Sequence, residues 1–215
     1  MAAEQGCARG EYVLGVQFAC GRGVEQSYAE AAHWFRKSAM QGHADAQCDI
    51  GQFYMEGLGV EQNDVEAAKW FKKSANQGFA KAQDKLGIMY ENDGRGVGQS
   101  YAGALLWYKK AADQRDAEAQ LRLGLLCENG TGVRQSVTEA NKLFKRAAEQ
   151  GETTAQLILG TRYMEGKGVR QNCFEAARWF RMAADEGNAC AQSSLSQLYK
   201  LGHGVAQSDV KQHNG

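Results

Sequence analysis

The chain contains no proline, where about 5% is usual, yet it carries 26 glycines in 215 residues. Nothing therefore removes a backbone donor from a helix interior, and chain reversals fall to glycine, which fits an all-α protein. An excess of either charge is missing too. Lys plus Arg and Asp plus Glu are both 25, so no net field draws the chain toward nucleic acid, an anionic membrane or a basic substrate. No apolar run approaches the ~18 residues of a membrane span, and the opening MAAEQGCARG lacks the apolar core of a signal peptide. The expectation is a soluble chain, cytoplasmic as given, and periplasmic or secreted where a signal has been removed.

Chemistry-bearing patterns are also missing. The six cysteines, Cys7, Cys20, Cys48, Cys127, Cys173 and Cys190, form no Cys-x-x-Cys pair and no regular spacing, so free thiols are expected rather than disulfides or a zinc site. The four histidines, His33, His43, His203 and His213, give no metal-ligand spacing. There is no Gly-x-Ser-x-Gly, His-Glu-x-x-His or Walker loop, and Gly94-Arg-Gly-Val-Gly98 has no preceding strand that would make it a dinucleotide loop. No cofactor, metal or catalytic residue is expected.

What the chain does have is a repeat. Ala44 to Gly78 returns along its length, with a hinge of the form Gly-x-Gly-Val starting at Gly21, Gly57, Gly94, Gly130, Gly166 and Gly202, a period of 36 residues with one step of 37. Before each hinge, residues such as Ala44, Ala46, Gln47, Ile50, Gly51 and Tyr54 put apolar or small side chains at i, i+3, i+4 and i+7 spacing, one stripe of a helix, helix A. Its central glycine, at Gly15, Gly51, Gly87, Gly124 and Gly160 and replaced by Ser196, is unfavourable by about 1 kcal/mol against Ala. A large aromatic of the partnering helix is expected to lie against it. After the hinge, Ser27, Asn63, Ser100, Ser136, Asn172 and Ser208 read as N-caps of helix B. Glu30, Glu66, Glu139 and Glu175 stand where they would complete capping boxes, a pattern broken by Gly103 and Lys211. Helix B then carries Ala31, Trp34, Phe35 and Ala39 and their counterparts, ending at Gly42, Gly78, Gly151 and Gly187, with Arg115 in the third copy. The reading is one domain over 1–215, with five helix pairs across 8–187, a sixth helix A at 189–201 and a C-terminal stub, about eleven helices in all.

The motif A-x-A-Q-x-x-L-G-x-x-Y-x-x-G-x-G-V followed by E-A-x-x-W-F-x-K-A-A-x-Q-G resembles the Sel1-like repeat, a relative of the tetratricopeptide repeat. Gln47, Gly51, Tyr54, Gly57, Gly59, Ala67, Trp70, Phe71 and Gly78 carry the resemblance, and Cys127, Leu143, Arg115 and Ser196 depart from it. It implies a right-handed α-solenoid of antiparallel helix pairs serving as a protein-interaction adaptor, often bacterial. It also brings an alternative, since β-lactam-binding or hydrolysing activity is sometimes attached to such proteins. If helix A lines the concave face, the residues one and five positions after its Gln column point into a groove. These are Tyr12, Val16, Cys48, Gln52, Asp84, Ile88, Leu121, Leu125, Leu157 and Thr161. Apolar Ile88, Leu121, Leu125 and Leu157 there point to a bound peptide or partner-protein segment. The dibasic pairs Arg36-Lys37, Lys72-Lys73, Lys109-Lys110 and Lys145-Arg146 read as a solvated face rather than a phosphate-tracking stripe, and Glu56, Glu91, Glu128 and Glu165 as solvated helix ends rather than cation ligands.

Overall fold

The computed structural model describes residues 7–92 and 96–202, which contain eleven α-helices and no strand. Gly94, His203, Ser208, Lys211, His213 and the expected C-terminal stub lie outside these residues. The chain divides into two compact units. The first holds α1 (Ala8–Cys20), α2 (Tyr28–Met40), α3 (Ala44–Glu56), α4 (Asp64–Asn76), α5 (Ala80–Glu91) and α6 (Tyr101–Asp113). The second holds α7 (Ala117–Asn129), α8 (Val137–Glu149), α9 (Thr153–Glu165), α10 (Cys173–Asp185) and α11 (Ala189–Lys200). Odd-numbered helices are the A helices and even-numbered ones the B helices. In each unit a helix packs on its neighbours in the chain, most extensively within an A/B pair.

The central glycine of each A helix does what its helix-breaking character suggested. A methyl group there would stand 2.6 Å from Phe35 at Gly15, 3.0 Å from Phe71 at Gly51, and 2.5 Å from Tyr108 at Gly87. It would stand 2.6 Å from Phe144 at Gly124 and 2.5 Å from Phe180 at Gly160. The aromatic in contact is the second of the Trp-Phe pair. All five rings are buried, and the glycine lets each ring lie against the backbone of helix A. Ser196 takes the glycine's place in α11, where the residue is exposed.

Polar groups follow the same period. Ser27, Asn63, Ser100, Ser136 and Asn172 each accept a first-turn backbone N–H and start the B helices at the next residue. The capping boxes are only half formed. The backbone N–H of each cap is already spent across the hinge, on Phe18 O, Tyr54 O, Cys127 O and Tyr163 O for Ser27, Asn63, Ser136 and Asn172. Glu66, Glu139 and Glu175 therefore turn to Lys69, Lys142 and Arg178 three residues on. The Gln column of helix A joins successive pairs. Gln47, Gln83 and Gln156 donate to the carbonyls of Ala39, Ala75 and Ala148 at the end of the preceding B helix. Gln47, Gln83 and Gln120 accept from Gln77, Gln114 and Gln150 at the end of their own. In the first repeat Glu11, only 1% exposed, holds the Gln place and accepts from Gln41 at 2.6 Å with Lys37 at 3.5 Å. In the fifth, Glu186 replaces the donating Gln and leaves the buried Gln156 Oε1 without a partner.

Two backbone positions complete the unit. The second hinge glycine has positive φ, and at Gly59 a side chain would run into the Tyr28 carbonyl at 2.3 Å. The hinge of one repeat thus rests on the start of the previous repeat's B helix. Arg115, where other repeats end helix B with glycine, takes the left-handed conformation itself at φ 67, a geometry unfavourable by about 1–2 kcal/mol for an L-residue.

Two expected outcomes follow for stability in urea. Gly160→Ala destabilises by about 1–3 kcal/mol, since overpacking against the immobile Phe180 ring outweighs the helix propensity of Ala, whereas Ser196→Ala changes stability by less than ~0.5 kcal/mol. Glu186→Gln supplies the missing donor to Gln156 and stabilises by about 1 kcal/mol.

Candidate functional site

The ten residues expected to line a groove are unevenly exposed. In the first unit Cys48 and Asp84 are buried, at 1% and 2% exposure, and are not open to a ligand in this structure. Tyr12, Val16, Gln52 and Ile88 are half-buried. In the second unit Leu125 is 38% exposed, while Leu121, Leu157 and Thr161 are half-buried. Leu121 and Leu157 also pack against the core clusters of that unit, so only part of each belongs to the surface.

The first unit's A helices carry a polar group around Tyr12. Its hydroxyl donates to Asp49 Oδ2 at 3.2 Å and its ring stacks on His43 at 4.7 Å. Burial and the Asp49 carboxylate raise the Tyr12 phenol well above its ordinary value. Burial also raises the Asp49 carboxyl, with Lys81 and the Tyr12 hydrogen bond opposing. Asp49 and Lys81 were not among the expected site residues because they sit two positions after a Gln in one copy and two before it in the next, columns with no recurring residue type. His43 serves the backbone, its Nδ1 accepting from Ala46 N at the start of α3.

The basic pairs and acidic ends are more engaged than a solvated face implies. Lys37, Lys73 and Lys110 lie over Trp34, Trp70 and Trp107 at 4.6, 4.1 and 4.3 Å, and Arg36 donates to the Tyr54 hydroxyl at 2.7 Å. The i, i+3 spacing of Lys to Trp, one helical turn, carries this cation–π contact and was readable in the sequence. Glu91 accepts from the Tyr108 hydroxyl at 2.7 Å. Glu128 is paired with both Arg162 and Lys167; burial works against its charge, but hydrogen bonds from these two hold its carboxyl below the usual range. Glu56 and Glu165 are exposed, as expected of helix ends.

All six cysteines are free thiols. Burial pushes the Cys48 thiol up to about 12 and raises that of Cys127, away from the thiolate a nucleophile needs. Among the described residues no three His, Cys, Asp or Glu side chains gather as a metal site, and no helix is long and apolar enough to cross a membrane. An open depression beside the turn between α9 and α10 is lined by Tyr163, Val169, Arg170, Gln171, Asn172 and Glu175, with no thiol or imidazole.

Comparison with known proteins identifies the repeat. The Sel1 repeat model matches residues 8–43, 44–79, 80–116, 117–152 and 153–188. The chain is 36% identical to c5321, described as a protective antigen of uropathogenic Escherichia coli displaying an SLR fold, with a TM-score of 0.86 over 94% of this chain. It spans only 43% of that protein. A Sel1 repeat protein from Oxalobacter formigenes is 33% identical, with a TM-score of 0.86 over 99% of this chain and 84% of its own. The immunity protein PA5088 from Pseudomonas aeruginosa, at 22% identity and a TM-score of 0.59 over 86% of this chain and 66% of its own, shares the fold alone. No curated protein matches the chain.

Thiol accessibility gives a direct check on the placement of these side chains. A thiol reagent added to the native protein labels the exposed Cys7, Cys20 and Cys190 first, and Cys48 and Cys127 only on unfolding, when six labels are reached. Labelling of Cys48 at the rate of Cys190 would contradict its burial.

Proposed function

Since this chain belongs to the Sel1 repeat family, whose fold generally serves as a protein-interaction scaffold, we propose that it binds an extended or helical segment of another protein on the outward faces of its A helices. The observation that carries this reading is the apolar surface of the second unit. Leu125 is exposed by more than a third on α7, beside the half-exposed Leu121 and, on α9, Leu157 and Thr161. The exposed part of Leu125 contributes nothing to the stack that a polar residue would not, but it gives a partner's side chains apolar surface to cover. The first unit offers Tyr12, Val16, Gln52 and Ile88 on its own A helices, a more polar surface of the same origin.

The raised pKa values of the two buried thiols run counter to an enzymatic role for these groups. A binding role requires no activated group, only surface held in place by a rigid stack.

Leu125→Glu separates a binding role from a structural one. The exposed position predicts unchanged helical content and melting temperature, together with loss of partners captured by the immobilised wild-type chain from an extract of its source. Leu121→Glu lowers the melting temperature as well, because that side chain also packs on the core. Normal capture by Leu125→Glu would show that the partner docks elsewhere.

A further inference from the structure

The fifth repeat is attached to the fourth differently from the way other successive repeats are joined. Two positions after the central glycine, α1 carries the exposed Gln17, whereas α3, α5, α7 and, after Ser196, α11 carry Phe53, Met89, Leu126 and Leu198, all buried and apolar. In α9 the same position is Arg162, only 8% exposed. Its Nη2 donates to Glu128 Oε2 at the end of α7, and Glu128 Oε1 accepts from Lys167 Nζ at 2.7 Å in the turn after α9. The backbone carbonyl of Lys167 accepts in turn from Asn141 Nδ2 of α8 at 3.0 Å. On α8, Lys142 pairs with Glu139 and Lys145 with Glu149, while Glu128 is paired with Arg162 and Lys167. The Nε of Arg162 is buried without a partner, so its guanidinium depends on one carboxylate.

We propose that Glu128, Arg162 and Lys167 form a charge clasp that makes attachment of the fifth repeat conditional, so that α9, α10 and α11 open together, ahead of α7 and α8, when the Glu128 charge is removed. A buried cation that loses its counter-ion is far more costly than an apolar side chain in the same place. Each helix of a repeat stack is held only by its neighbours, so loss at the α9 seam reaches α10, which packs on α9, and then α11, which packs on α10, and leaves the α7/α8 pair with its own Gly124–Phe144 contact. The column itself supplies the control: Met89 shows that methionine fits this position without any clasp.

Amide hydrogen exchange of the full chain at neutral pH tests the clasp with Glu128→Gln, Arg162→Met and the double variant. Glu128→Gln is expected to speed exchange in α9–α11 at least tenfold while α7 and α8 change little. The double variant is expected to return α9–α11 to within about threefold of wild type, because no buried cation remains. Lys167→Met, which removes only the half-exposed arm, gives the same regional pattern with a smaller acceleration and serves if Glu128→Gln does not fold. The proposal is overturned if Glu128→Gln leaves α9–α11 as protected as in wild type, if acceleration in any variant spreads evenly over α7–α11, or if the double variant exchanges as fast as Glu128→Gln.

Discussion

Each helix pair depends on one contact, a buried aromatic ring of helix B pressed on the bare backbone of a helix A glycine. The ring can come this close only because there is no side chain beneath it, and the buried ring supplies the apolar area that a thirteen-residue helix, marginal alone in water, needs to stay folded. The small residues around it follow. Ala31, Ala67, Ala104, Ala140 and Ala176 are all fully buried, since close-set axes leave no room for anything larger.

A second constraint joins the pairs. Short helices bring many unsatisfied terminal carbonyls and N–H groups into the stack, and burying them unpaired would cancel what the aromatics contribute. The Gln column answers this by capping the previous helix B with its amide N–H and accepting from its own helix B with its carbonyl oxygen. An amide is suited to the task because it donates and accepts at once. Carboxylates hold ladder positions only in the first and fifth repeats. Glu11 accepts from Gln41 at the end of its own helix B, as the Gln carbonyl oxygen does elsewhere, whereas Glu186 stands where a donor is wanted and leaves Gln156 half satisfied.

For the binding role proposed above, what matters is what the A helices display, and the two units display different things. The first shows a tyrosine, a histidine and buried or half-buried carboxylates, and the second shows leucines. The dibasic columns, which could suggest a phosphate-binding stripe, are drawn into the architecture by tryptophan rings beneath their lysines.

Period, helix boundaries, caps and the glycine–aromatic contact were legible in the sequence because each recurs. Six copies within one chain report the same local requirement, and local requirements such as capping, left-handed turns and helical stripes depend on residues close in sequence. The reach of Glu66, Glu139 and Glu175 toward their i+3 cations was legible for the same reason. The tertiary structure alone decided what depended on pairs about thirty residues apart or on a single copy. The caps' N–H groups were taken by the preceding helix, which left the capping boxes half made. Cys48 and Asp84 went inside although Leu125, on the same outward face of an A helix, stayed out. Arg162 was visible as a departure from an apolar column, but its meeting with Glu128 and Lys167 was not, because exposure and ion pairing are set by which neighbour the fold places over a residue, and no repeat can announce a partner that occurs only once.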